Sequence, residues 1–458
     1  MKLFLLNKTF IAVLSLIFFN SFSAKSQDST RILSLKDCVK YANDNNSNIK
    51  IAKIGEQIGV RQIREIKGRA FPQVSIIGNF EDRLKVPLLI LPAGAGFPAG
   101  DGKGIKMGYK YNSLLSGEVT QMLFDPSFDL GLKAAKQGDI LNKHNTQQIN
   151  EQAAYNIGNT YYKAIIASKQ LGLLKANLVS TNRVMQITEL QFKNGVAKEV
   201  DVKRLRVSAR SLESQIKQNQ LNLEQVLNVL KFQMGMSLDN KIILSDTVLN
   251  FTHEELKAPE MQAFENRVDY KILQSNFRLK QLDKSNILRG YYPVLTAYAN
   301  YAYQGQGPTF GIIKTPSNGW VNFTTSSLGL RLRIPIFDGL QKTFRAQQSK
   351  LQLNQIQENM ELTKQNINLE ISNALTQYQN SIQRLEFELE NVKLAEDVYR
   401  ITQLEFREGV STSTDVVGAE TSLRQVQNNY TQTLFDLYTS KLNLEKSKGN
   451  ILNYLTTK

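Results

Sequence analysis

Two hydrophobic periodicities alternate along this chain, changing over twice within each half. Residues 35–68 carry apolar positions at helical spacing, with Ser34 as N-cap and Asp37 completing a capping-box spacing. After Pro72 the period drops to two: Val74, Ile76, Gly78 and Phe80 share one side, Gln73, Ser75 and Asn79 the other, and Ile77 breaks the alternation. A glycine-rich loop follows, and strand patterning resumes from Leu115 to Phe124. The later copy is clearer. Leu295, Ala297, Ala299, Tyr301 and Tyr303 alternate with Thr296, Tyr298, Asn300 and Ala302, and Leu328, Leu330, Leu332 and Ile334 alternate with Ser327, Gly329, Arg331 and Arg333. One apolar and one polar face over roughly ten residues is the pattern of a tilted membrane strand. Pro72, Pro293 and Pro335 fall at strand ends, where a missing N–H is tolerated.

Between the strands lie long helical stretches, Asp129–Lys193 and Gln341–Arg407, with no proline. A helix of that length spans roughly 100 Å. Ile371, Leu375, Tyr378, Ile382, Leu385, Leu389 and Val392 form a heptad seam, which predicts lengthwise coiled-coil packing. Each long helix reaches a glycine, Gly195 or Gly409, and reverses into a return helix over about 198–235 or 413–455.

The halves are copies. Phe192, Gly195, Val196, Asp201 and Val202 lie over Phe406, Gly409, Val410, Asp415 and Val416. Earlier marks pair Asn48 with Asp269, Lys50 with Lys271, Pro72 with Pro293, and Phe124–Asp125 with Phe337–Asp338. Several marks in one order argue against coincidence. The chain therefore divides into residues 27–239, a linker over 240–263, and residues 264–458. Each half reads helix, β-hairpin (about 72–124 or 293–337), long helix, tip and return helix. Residues 1–26 read as a secretory signal: basic Lys2 and Lys8, an apolar run from Phe10 to Phe22, then Ala24 and Ser26 before Gln27.

Four such strands cannot close a membrane barrel, and an open sheet in lipid strands its edge N–H and C=O groups. The chain must oligomerise. Strand arithmetic permits a dimer of eight or a trimer of twelve, and the wider barrel leaves a lumen. The fold class is thus mainly α, with long antiparallel coiled-coil helices, two internal repeats and a membrane β-barrel part. The competing reading is a structural periplasm-spanning or cell-surface coiled coil without a pore.

Composition narrows the chemistry. The chain has 458 residues, a formal charge of +15, 2 histidines and 1 cysteine. Its mean hydropathy of −0.30 excludes a bundle of membrane helices. One cysteine makes no disulfide framework; Cys38, in the pattern Leu35, Cys38, Val39, Ala42, reads as a core residue. His144 and His253 lack a catalytic partner pattern, and no cofactor or metal site is expected. Gly94–Gly104 resembles a phosphate cradle, yet Phe97 takes the first glycine position, Gly104 replaces Ser/Thr, and no helix begins there; it reads as an external hairpin loop. Tyr291, Tyr292, Tyr298, Tyr301 and Tyr303 read as an interfacial girdle rather than a nucleobase platform, so no nucleic-acid partner is expected.

The duplicated plan, the Phe-Asp marks and the paired Gly-Val…Asp-Val tips resemble the TolC-like outer membrane efflux family over about residues 30–455. The resemblance implies a homotrimer with a twelve-stranded barrel in the outer membrane lipid of a Gram-negative bacterium, and a large periplasmic part. It also implies a periplasmic adaptor (membrane fusion) protein docked at the tip, and an inner-membrane efflux pump or ABC exporter. Such a channel is a passive conduit with no catalysis of its own. The resemblance carries a periplasmic gate to Asp415, with Asp201 as its copy, and adaptor docking to Gly195, Val196, Gly409 and Val410. Three carboxylates around a narrow axis would make a cation-selective constriction. An acid at the first turn of a helix also complements the helix dipole. The family's second acid, three residues on, is Gly418 here.

Overall fold

A computed structural model describes residues 31–90, 105–245, 263–311 and 319–457. The signal segment, the Gly94–Gly104 loop, His253 and most of the interhalf linker lie outside them. In chain order the elements are β1 (Arg31–Leu33), α1 (Leu35–Asn45), α2 (Ser47–Gly68), β2 (Gln73–Asp82), β3 (Leu88–Leu89), β4 (Ile105–Lys106), β5 (Tyr111–Phe124), α3 (Pro126–Lys193) and α4 (Glu199–Met234). There follow β6 (Ile242–Leu244), a 3-10 turn at Ala263–Asn266, α5 (Val268–Arg289), β7 (Val294–Gly307), β8 (Val321–Arg333), α6 (Gln341–Arg407), α7 (Ser413–Ser447) and α8 (Ile451–Thr457).

The described residues form two compact units, each drawn from both repeats: those within 31–50, 150–245 and 371–457 in one, those within 51–149 and 263–370 in the other. In the first, the core gathers Cys38, Tyr161, Leu230, Met234, Leu442 and Ile451, all essentially without solvent exposure. Cys38 is thus the small core residue its spacing predicts. In the second, a four-stranded sheet runs in the order β2-β5-β7-β8, antiparallel throughout. It is an open sheet and not a closed barrel: β2 pairs only with β5, and β8 only with β7, among the described residues.

The duplicated marks have local causes. Asp125 Oδ1 accepts from Ser127 N at 2.8 Å, and Asp338 Oδ2 accepts from Lys342 N at 3.2 Å, so each Phe-Asp aspartate caps the start of a long helix. Ser34 and Asp37 form the expected capping box at α1.

Two expectations about element limits are corrected, and a third gains detail. The helix read over 35–68 breaks at Asn46, whose backbone is extended. Its Oδ1 accepts from Asn48 N (2.8 Å) and Ile49 N (3.2 Å), and its Nδ2 donates to Gln233 O (2.6 Å), so one amide side chain restarts the helix and ties it down. The return helix read over 413–455 ends at Ser447, because Gly449 adopts φ +71° and turns the chain into α8. The linker read over 240–263 contains β6, paired parallel with β1.

The heptad seam also shifts. Ile371, Tyr378, Ile382 and Leu385 are buried and Leu375 and Val392 half-buried as the seam predicts, but Leu389 is exposed, and beyond the predicted run Tyr399 and Phe406 are buried. Glu388 takes the seam position that an apolar count assigns to Leu389.

Candidate functional site: a two-faced sheet and paired helical tips

Cross-strand partners in an antiparallel sheet point to one face, so the register sorts every side chain. One face carries the row Val74, Val119, Ala299, Leu328 and the row Ile76, Gly117, Tyr301, Ser326. The other carries Gln73, Thr120, Tyr298, Gly329 and then Ser75, Glu118, Asn300, Ser327. Among the paired residues, Glu81, Glu118, Arg331 and Arg333 all lie on this polar face. The apolar face has one charge, Asp82, at the turn end of β2. Polar side chains there bond to one another: Asn300 Nδ2 donates to Ser116 Oγ at 2.7 Å, and Gln304 Nε2 to Asn112 Oδ1 at 3.0 Å.

The apolar face is uncovered. Leu328 is 85% exposed, Ile76 76% and Val74 73%. Bare aliphatic side chains in rows on a strand face are what lipid covers in a membrane sheet.

The tyrosine girdle divides. Tyr301 and Tyr303 lie on the apolar face, whereas Tyr298 lies on the polar one. There its ring covers Gly329, where an added Cβ would come within 2.7 Å of the Tyr298 hydroxyl, and it sits 5.1 Å from the Arg331 guanidinium carbon. Sequence reading missed a second aromatic group: Phe80, Tyr111 and Phe310 pack with ring centroids 5.5–6.0 Å apart. Phe310 belongs to no alternating run, which is why periodicity could not find it.

The two helical reversals repeat one geometry. Gly195 and Gly409 have φ +75° and +77°, a left-handed conformation that glycine takes without penalty. Val196 N donates to Gln191 O at 2.9 Å, and Val410 N to Glu405 O at 2.8 Å, the closing bonds of a Schellman-type end. This leaves Val196 and Val410 three-quarters exposed at the outermost turn. Beneath them Val184, Leu205, Tyr399, Phe406, Val416 and Leu423 form a separate apolar cluster.

The two aspartates differ. Asp415 is exposed; its Oδ2 accepts from Thr412 N (2.8 Å) and Thr412 Oγ1 (2.6 Å), closing a capping box. Those hydrogen bonds, side chain first and backbone second, hold its carboxyl below the usual carboxylate range. Asp201 is half-buried, and its Oδ1 accepts from Ser413 Oγ at 2.5 Å, across to the other return helix. Arg204 continues that tie through Thr414 Oγ1 at 2.9 Å. Gly418, in place of a second acid, stands in open space.

Behind the tip, Glu420 is buried, accepts from Ser208 Oγ at 3.1 Å and lies 3.0 Å from Arg424 Nε. Burial pushes its carboxyl above the usual range, against the opposing pull of Arg424. Of the histidines, His144 is half-buried in α3, and burial followed by the charge of Lys271 lowers its pKa. Among the described residues, no helix is long and apolar enough to cross a membrane.

Residues 289–450 match the family model described as outer membrane efflux protein. The span runs from the end of α5 through β7, β8, α6 and α7, so it includes half of the sheet and one tip. In fold the chain is TolC-like. Among solved structures it is similar to CusC (16% identity, TM-score 0.71, covering 93% of this chain and 95% of that one), whose structures are described in terms of folding and transmembrane channel formation. It is also similar to VceC from Vibrio cholerae (16%, 0.67, 91% and 96%) and to the CmeC outer membrane channel of Campylobacter jejuni (16%, 0.68, 91% and 85%). At these identities the likeness is one of fold. The shared fold extends over nearly the whole chain. No curated protein matches the sequence.

Proposed function

We propose that this TolC-like chain is the outer membrane channel of a tripartite efflux or type I secretion system, a passive conduit from periplasm to exterior. The observation that carries the proposal is the open four-stranded sheet with all but one of its paired charges on one face. Such a sheet satisfies its edges and buries its bare face only when several copies share one barrel in lipid. Three copies give twelve strands and a polar lumen. The sequence match to an outer membrane efflux domain supports the same reading independently.

The remaining parts follow from it. Residues 1–26 direct export, and the repeats 27–239 and 264–458 flank the segment 240–263. The helical part lies in the periplasm, where Gly195, Val196, Gly409 and Val410 meet an adaptor protein that links the channel to an inner-membrane efflux pump or ABC exporter. Asp415 lines the gate: it is exposed, ionised well into acid and aimed by its cap. Asp201 serves the gate less directly, since its carboxylate already holds Ser413.

The test is purification in detergent, mass measurement of the particle, and reconstitution in a planar bilayer. A detergent-dependent trimer with discrete conductance is expected. A monomer that stays dissolved in plain buffer and conducts nothing would overturn the proposal.

A further inference from the structure

The free edges of the sheet carry their own pairing instructions. An offset of 221 residues carries Pro72 to Pro293, and one of 213 carries Phe124 to Phe337. Applied together, they carry the first hairpin's pair Gln73–Thr120 onto Val294–Arg333, which is the pair that the second hairpin makes. The two hairpins therefore share one register. The seam between them, β5 against β7, pairs Thr120 with Tyr298. Carried by the same offsets, that pair becomes Arg333 facing residue 77. Within one chain β5 and β7 stand between these strands, and four strands cannot close on themselves. Residue 77 must come from another copy.

We infer that β8 of one protomer pairs antiparallel with β2 of the next, with Arg333 opposite Ile77 of the partner subunit. This rests on the shared-barrel reading above and adds its register. Side-chain chemistry agrees with it on the apolar face, and the exception on the polar face is Arg333 itself, which meets the aliphatic Ile77 of the partner subunit. Leu330 and Leu332 fall opposite the partner's Phe80 and the partner's Gly78. Beyond the end of β8, Ile334 and Ile336 run on against the partner's Ile76 and the partner's Val74. Ile336 is 90% exposed in the single chain, and this seam covers it. A slip of one residue would turn every one of these side chains to the wrong face. On the polar face, Arg331 lies opposite the partner's Asn79 and diagonal to the partner's Glu81, within reach of long side chains. Neither Arg331 nor Arg333 pairs with a carboxylate of its own chain among the described residues. Slips of two residues preserve the faces, and the repeat alone chooses among them.

The experiment is disulfide scanning of the full chain in lipid, in a Cys38→Ala background that removes the only cysteine. Arg333→Cys is combined in turn with Gln73→Cys, Ser75→Cys, Ile77→Cys, Asn79→Cys and Glu81→Cys, all on one face. Leu332→Cys with Gly78→Cys is added, because consecutive cross-strand pairs alternate between close and wide spacing. Each variant is first checked for bilayer conductance. The expected result is an intermolecular product that peaks with Ile77→Cys, or with the Leu332–Gly78 pair, and returns to monomer on reduction. A peak at Ser75→Cys or Asn79→Cys overturns the register but leaves the shared barrel standing. No intermolecular product at any position, in chains that still conduct, overturns the shared barrel as well.

Discussion

Leu328 and Ser327 are neighbours on β8 that point to opposite faces, so an arginine at each asks which face meets lipid. A strand rises about 3.3 Å per residue. Tilted by about 40°, the 13 residues of β8 therefore climb roughly 33 Å. Leu328 lies one residue from the strand's midpoint, within about 3 Å of the centre of the span. Arginine on the lipid face at that depth costs about 2–4 kcal/mol per copy, or roughly 6–12 kcal/mol for three. Per copy this is a factor of about 30–1,000 in the folding equilibrium. Ser327 lies opposite Asn300, in the row of Glu118, where water would solvate a guanidinium at little cost. The assay is folding into liposomes titrated with urea, with the oligomer read by its resistance to sample buffer. Leu328→Arg is expected to abolish or severely reduce the oligomer, and Ser327→Arg to leave its midpoint near that of the unaltered protein. Equal losses, or a larger loss for Ser327→Arg, would refute the assignment of faces.

Three further outcomes are expected. Asp415→Asn keeps an acceptor for Thr412 N but removes the charge, so in bilayers it should move the reversal potential towards non-selectivity as far as Asp415→Ala does; unchanged cation preference would leave the aspartate as a cap alone. Gly235→Ala should destabilise by roughly 2–5 kcal/mol, because its φ of +73° is left-handed and the new Cβ would run into the Asn45 carbonyl oxygen, whereas Gly172→Ala, in open space within α3, should be neutral or slightly stabilising in the same thermal melt. Burial raises the Glu420 carboxyl, so the stability it contributes is present below the usual carboxylate range and lost as pH rises through the raised value. Glu420→Gln should flatten that fall in hydrogen-exchange protection of α7, and a protection that rises over this window in the unaltered protein would reverse the sign.

Sequence alone revealed most of this fold, because its largest elements have strong periods. A period of two held through 295–303 and 328–333, and the strands are there; a proline-free helical stretch predicted α6 at both ends. The misses have local causes. Asn46 breaks a helix through its side-chain amide, which apolar spacing does not record. Strands of three residues, such as β1 and β6, are too short to show a period. The seam keeps its seven-residue repeat through Ile371, Tyr378, Leu385, Val392, Tyr399 and Phe406, and only its alternate position moves, from the exposed Leu389 to the half-buried Glu388, a step of one residue that an apolar count does not record. At the tips the glycines were legible from their duplication. The difference between Asp201 and Asp415 was not, since both carboxylates accept from the N-cap N–H of their own helix and only Asp201 also reaches across to Ser413.

Duplication also answers a question that the open sheet raises. A barrel made by several chains needs two kinds of seam between hairpins, one within a chain and one between chains. Two unrelated hairpins would have to solve these separately. Here the hairpins share a register, so any substitution that suits β5 against β7 sits in the same geometry as its image at β8 against β2. The inner seam forms whenever a single chain folds, and Val119 and Ala299 lie across it beside Val74 and Leu328. The outer seam waits for a partner, and until then all ten residues of β2 stay exposed. In the proposed shared barrel, folding of the chain and closure are therefore two steps of one pairing chemistry. The second is set apart only by concentration and by the lipid that the bare face requires.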